Sequence, residues 1–515
     1  MSTDTTQALE TVKEKARKTA DDADRLGRRL WDWMKDEVEP DRLLMSTTAA
    51  LIEAQGMKYA LGLGIERWRP GKALKLLFAG YVGTRNTGAD VRVEEMVRQV
   101  RHVLGDDAIA LTMMTSDPKL TKGYFRTARQ VTMPTIFPKF LFDECPKHHG
   151  VIACEGSMFK SKFASALSTM MAGSLGFANA EQKLSVGYGA EAGHMIPSLQ
   201  DFVQKHCRDS LVLCRNQPSR GVLEALGIRT RGGTDTAWTF DPAPPERGRQ
   251  LLQSAGWDGK APVLIACPIN PFWWPVKPDL QKAAAYHLSG EHKSAFYKSI
   301  YFHASGQDVA TRYEAYLDGF CEAISAFAQE KAVFPILVGM EQLDRRACEH
   351  LAAKLQEKNG WGKVPIFVSD EHDMYDLVSV LRQGSLMVSS RFHAIVTSMP
   401  GLVPSCGVTM DERIRNLMAT RGHDDLFLEV DDPELGEKLL AILRRVDRER
   451  ERIRDDIART LPGELRLMGQ MGIDFKDEVA RVYPEFALPD LGPEPIAHLP
   501  ALPRALQELL ERSGG

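Results

Sequence analysis

Apolar residues along this chain fall into two kinds of pattern. Up to Lys72 the sequence is polar and helical in character, and Leu26, Leu30, Trp33 and Met34 recur at i, i+4, i+7 and i+8, the stripe of an amphipathic helix. That stripe is expected to dock on the body of the protein rather than enter lipid. From Leu74 short apolar runs take over, at 74–79, 108–113, 151–154, 184–186 and 211–214, separated by helix-like segments such as 91–103 and 162–175. A Pro-rich polar turn, Asp241-Pro-Ala-Pro-Pro-Glu-Arg-Gly, interrupts them. A second series then runs through 263–266, 333–338, 366–368, 386–389, 402–405 and 426–430, with helices expected at 342–358 and 375–381. Such alternation predicts βα units and parallel sheets. The expected fold class is α/β: two Rossmann-like parallel-sheet domains, 72–245 and 246–431, facing each other across a cleft. A helical N-terminal extension, 1–71, and a helical C-terminal extension, 432–515, flank them.

Composition narrows the function classes. A length of 515 residues is more than one ordinary core accommodates, which suits two domains. With 43% hydrophobic and 26% charged residues, the chain reads as soluble and globular. A formal net charge of -4 gives no bulk reason to expect nucleic acid. No apolar stretch is long enough to span a bilayer and no export-type h-region precedes the first domain, so a cytoplasmic location is expected. Peripheral membrane contact and a homo-oligomer both stay open. The eight cysteines are scattered without a C-x-x-C pair and are expected to be free, small buried hydrophobes.

Parallel sheets bind ligands at the carboxyl ends of their strands, so the loops after the runs carry the candidate chemistry. The first, Gly80-Tyr-Val-Gly83-Thr-Arg-Asn86-Thr-Gly88-Ala-Asp90, is neither a dinucleotide fingerprint nor a Walker A; Thr87 and Asp90 in it are spaced like a capping box. In a second, Arg391 and His393 follow a buried run at a helix start: a fork for phosphate or carboxylate beside a proton carrier. Arg215 closes another run. After 263–266, Trp273 and Trp274 lie in a Pro-stiffened loop, either as a stacking platform for a sugar ring or as packing between domains. Glu155 follows the run 151–154 as a plausible acid or base. Cys145, His148 and His149 are metal-ligating types, but no second half with zinc spacing accompanies them, so no metal is expected.

Taken together these segments resemble the polysaccharide pyruvyl transferases. The resemblance rests on the Gly80–Asp90 loop, on Arg215, Ser219, Leu223 and Gly227 at steps of four, and on Ser390-Arg391-Phe392-His393-Ala394 followed by Gly401-Leu-Val-Pro404. It covers roughly 74–417. Ala89 stands as an extra residue before Asp90, and Arg413 stands where the family often has a lysine. The resemblance implies a GT-B-like domain pair and transfer of a pyruvyl group from phosphoenolpyruvate to two hydroxyls of a sugar or glycan precursor. The products are a cyclic ketal and phosphate, and no cofactor is called for. It further implies that Arg215, Arg391 and Arg413 hold the donor, that His393 with Arg391 does the chemistry, and that Asn86, Asp90 and Glu155 orient the acceptor. Two other readings stand beside it: a glycosyltransferase of similar architecture using a nucleotide-sugar, and a non-catalytic binding or scaffold relative.

Overall fold

The computed structural model describes residues 40–512, apart from 64–65, 127, 280–281 and 283–300. The stripe at Leu26, Leu30, Trp33 and Met34 lies outside the described residues.

Two parallel sheets form the body. The first consists of β1 (Leu74–Ala79), β2 (Ile109–Thr115), β3 (Arg129–Thr132), β4 (Gly150–Ala153), β5 (Leu184–Ala190), β6 (Leu211–Cys214) and β7 (Arg229–Gly232), in the order β3-β2-β1-β4-β5-β6-β7. The second opens with β8 (Val263–Cys267). A two-stranded antiparallel ribbon of β9 (Lys277–Pro278) and β10 (Tyr301–Phe302) follows. The sheet continues with β11 (Phe334–Gly339), β12 (Ile366–Val368), β13 (Leu386–Ser389), β14 (Ser405–Thr409) and β15 (Phe427–Glu429), ordered β12-β11-β8-β13-β14-β15. The fold is therefore α/β with two Rossmann-like domains, as the alternating pattern predicts. β1, β4, β8 and β13 are buried along their whole length or nearly so, which explains why they read as unbroken apolar runs.

Strand order reverses between β1 and β4 in the first sheet, and between β8 and β13 in the second. At such a switch point the flanking loops diverge and leave a crevice outside the carboxyl ends. The Gly80 loop follows β1, Glu155 follows β4, the Trp273–Trp274 loop follows β8 and Arg391 follows β13. Four of the five candidate loops thus border the two switch points. The other, with Arg215, follows β6.

The extensions hold the pair together. Helix Pro40–Ala60 packs on helix Ser165–Ala180, where Gly173 and Gly176 make room for Thr48 and Ile52. Helix Arg450–Val482 returns from the second domain to lie on β5 and β7 of the first. It buries Leu465, Met468, Met471, Phe475 and Val479, and the Phe475 ring meets Tyr188 at 5.6 Å. All eight cysteines are free and buried, as expected. Among the described residues no helix is long and apolar enough to cross a membrane.

Candidate active site

The first loop does not use the predicted capping box. Helix Thr87–Leu104 is capped by Asn86, whose Oδ1 accepts the Ala89 N–H at 3.2 Å. Thr87 is already in the helix, and its own N–H crosses to the Met340 carbonyl of the second domain at 2.7 Å. A second bridge, Ser369 Oγ donating to the Arg85 carbonyl at 2.6 Å, ties the same loop to the loop after β12. Arg85 has a φ of 56°, a left-handed conformation that costs energy for a side-chain-bearing residue. These contacts fix the amino end of the helix against the second domain.

His393 sits on that helix end. It enters on helix Phe392–Ser398, directly after β13, and a side chain at Gly88 would collide with its ring. Gly88 is therefore required for space: the imidazole lies where a Cβ would be. His393 Nε2 is 3.3 Å from Asp235 Oδ2, across the seam between the domains. The same oxygen receives Arg215 Nη1 at 3.0 Å and lies 3.0 Å from Arg92 Nε. Arg92 also donates from Nη2 to the Gly189 carbonyl at 2.8 Å, and is completely buried.

This arrangement sets the protonation states. Burial works against ionisation of Asp235, but Arg92, His393 and Arg215 outweigh it and hold the carboxyl far below its usual range. Burial lowers the His393 imidazole below its ordinary value, and the Asp235 carboxylate only partly offsets this. His393 is thus neutral at neutral pH. With an ionised Asp235 at Nε2, the proton sits there, and Nδ1 is left as the basic nitrogen.

Beyond Arg215 the charges continue. Arg215 Nη2 binds Glu191, which also lies 3.2 Å from Lys160 Nζ. Arg413 grips Asp411 from Nε and Nη2, at 2.9 and 2.8 Å, and its guanidinium lies 4.9 Å from the Phe163 ring. Trp274 meets that ring edge-on at 5.4 Å, while Trp273 tilts against His303 at 4.7 Å. Trp274 accordingly packs at the seam between domains, and Trp273 packs on the segment that carries β10.

Arg391 is placed differently from Arg215. Its Nε and Nη2 bind Asp344, and Nη2 also donates to Glu341 at 2.8 Å. Burial pushes the Glu341 carboxyl up to about 7, with Arg391 pulling the other way. Glu155 lies partly exposed in the loop after β4, its Oε1 accepting the Gly156 N–H at 2.7 Å. Asp90, at 1% exposure, lies beneath the loop rather than on its surface; burial holds its carboxyl well above the usual range. The structure thus brings His393, Arg215 and Glu155 to one place around Arg92 and Asp235. It commits Arg391 to carboxylates and commits Asn86 Oδ1 to the cap.

Sequence reasoning passed over Asp235, Arg92, Glu191, Lys160 and Glu341. Arg92 carried a signal: a cation set between Val91 and Val93 just behind the glycine loop. Asp235 sits in a polar Gly-Gly-Thr-Asp-Thr turn that nothing local distinguishes. The two histidines of the Cys145, His148 and His149 group, where no metal is expected, bond the backbone. His148 Nδ1 bonds the Glu144 carbonyl, and His149 Nδ1 accepts the Lys75 N–H. Among the described residues no group of three His, Cys, Asp or Glu side chains is placed to hold a metal.

No curated protein matches the chain. Among solved structures, a UDP-glucosyltransferase from Polygonum tinctorium aligns with a TM-score of 0.49 and 8% identity, covering 81% of this chain and 100% of that one. HepE from Anabaena, solved with UDP and glucose, aligns at 0.45 and 12%, covering 79% and 98%. UDP-GlcNAc 2-epimerase from Neisseria meningitidis aligns at 0.45 and 10%, covering 75% and 94%. The sequence comparison is more specific. The segment holding Arg215, Asp235, Glu341, Arg391 and His393 matches a family model. That family is polysaccharide pyruvyl transferase, and the match runs over residues 196–411.

Proposed function

We propose that the protein transfers a pyruvyl group from phosphoenolpyruvate to two hydroxyls of a sugar or glycan precursor, in the cytoplasm where that donor is made. One observation supports this reading most: Asp235 gathers His393, Arg215 and Arg92 at the seam between the sheets, and three of those four residues lie in the matched segment.

In this reading Arg215, Arg413 and Lys160 attract the phosphate and carboxylate of the donor, exchanging part of their present carboxylate pairing for it. The methylene carbon of the donor gains a proton, which makes the neighbouring carbon electrophilic. Glu341, protonated in part at neutral pH, is suited to give that proton. One acceptor hydroxyl then adds, its proton passing to the His393–Asp235 pair. The imidazolium so formed is stabilised by Asp235. A second hydroxyl displaces phosphate and closes the ketal. Two hydroxyl protons are lost, one is gained by carbon and one by phosphate, so the step balances. Glu155, 3.8 Å from Arg92, is the group suited to orient an acceptor hydroxyl.

Ligand-induced stabilisation tests the donor. Phosphoenolpyruvate should raise the melting temperature in a concentration-dependent way, and Arg215→Ala should abolish the rise. Stabilisation by UDP-sugars with none by phosphoenolpyruvate would overturn the reading.

A further inference from the structure

At the opposite end of the first sheet lies a groove of about 480 Å³, walled by Glu66, Arg67, Arg69, Lys72, Lys75 and His149. Lys75 is the second residue of β1 and His149 immediately precedes β4, so the groove opens at the amino ends of the strands. The loops around His393 leave the carboxyl ends of the same sheet. The two places are distinct.

His149 is 3% exposed, and its Nδ1 accepts the Lys75 N–H at 2.9 Å. Burial and the nearby Lys183 lower its pKa to about 4, so the ring is neutral and its single proton resides on Nε2. That N–H is buried and has no hydrogen-bond acceptor. The Glu66 carboxylate stands 3.8 Å away, beyond hydrogen-bond reach, and is held instead by Lys75 at 2.7 Å. A buried donor without a partner is costly, and here it lines a groove whose other walls are cationic. Arg67, Arg69 and Lys72 are exposed and have no ion pair among the described residues. Four cations therefore face one carboxylate.

The loop that carries them is built rather than loose. Trp68, between Arg67 and Arg69, meets Tyr483 and Phe486 with ring centroids 5.7 Å away in each case. Its Nε1 donates to the Lys72 carbonyl at 2.8 Å, and the Lys72 N–H donates to the Arg69 carbonyl at 3.1 Å. Tyr483 in turn donates to the His149 carbonyl. The backbone that carries the cations is thus fixed beside the His149 donor.

We infer that this groove binds a phosphate-bearing anion, gripped by Arg67, Arg69, Lys72 and Lys75 and hydrogen-bonded by His149 Nε2. Phosphate suits the set: arginine forks and ammonium groups take its oxygens, and its charge outcompetes the single Glu66 carboxylate at Lys75. Two sources share this chemistry. One is a free phosphoanion. The other is a lipid headgroup, since Met57, Leu61 and Leu63 stand 63%, 74% and 55% exposed just upstream.

The test compares the wild type with Arg67→Ala/Arg69→Ala, which changes only exposed side chains, and with His149→Phe. Pyrophosphate is titrated by calorimetry into each protein, and phosphatidylglycerol vesicles are used for cosedimentation. If the ligand is a free phosphoanion, pyrophosphate binds and the double variant weakens it by about tenfold or more, the loss of two charge-assisted contacts. If it is a headgroup, vesicle binding is lost in the double variant while pyrophosphate binds weakly in both. Should His149→Phe fail to fold, the double variant carries the test alone. Binding of neither probe by the wild type, or equal binding of both probes by the double variant, overturns the inference.

Discussion

Asp235 faces three groups at once, so substitutions around it separate chemistry from stability. Asp235→Asn leaves Arg92 and Arg215 buried beside a neutral amide. It should cost about 3–5 kcal/mol in chemical denaturation, the magnitude of a broken buried ion pair, and turnover should fall with it. His393→Gln leaves those arginines paired and should change stability little, while lowering turnover by roughly 10²–10⁴ and donor affinity only a few-fold. Equal losses of stability in the two variants would mean that His393 is a packing residue. Glu341 makes a prediction of another kind. Its folded pKa of about 7 lies above the ordinary glutamate value of 4.5, so the folded protein binds that proton more tightly than the unfolded chain. The contribution is fully favourable below about 4.5 and is lost as pH rises towards 7. Melting curves between these limits should show the wild type losing stability relative to Glu341→Gln as pH increases; parallel curves would contradict it.

At the scale of elements, the helix that starts at Thr87 supports the site through its cap and its second residue. Asn86→Ala removes the acceptor for the Ala89 N–H and should destabilise by about 0.5–2 kcal/mol, measured by urea unfolding. Gly88→Ala should affect stability and turnover together, because the new methyl occupies the place of the His393 ring. Much of this layer was legible in the sequence. The runs at 74–79, 211–214, 366–368 and 386–389 are the observed strands, because a parallel strand buried on both faces must be apolar throughout. The edge strands β3 and β7 escaped notice because each carries exposed arginines, whereas the edge strand β12 is apolar. The run 402–405 was misplaced: Leu402 has a φ of 54° and the strand itself, Ser405–Thr409, holds few large apolar residues. Of the site, His393, Arg215 and the glycine loop were readable as motifs. Asp235 was not, because its role comes from what the fold brings to it across the seam and not from its neighbours in sequence.

Across the whole molecule, the same bonds that assemble the site join the two sheets. Thr87 to Met340, Arg85 to Ser369 and His393 to Asp235 all cross between the domains, and helix Arg450–Val482 lies over both. The domains should therefore unfold as one unit: calorimetry is expected to give a single transition, and two resolved peaks would show that the seam contributes little. Pyruvyl transfer at this seam can be followed by carbon-13 NMR. The protein is incubated with phosphoenolpyruvate labelled at its central carbon and a panel of glycan acceptors. The enol signal should give way to a ketal carbon with an equal amount of phosphate released, for the wild type and not for His393→Gln. Unchanged phosphoenolpyruvate with every acceptor while a UDP-sugar is consumed, or the same ketal yield from His393→Gln, would contradict it.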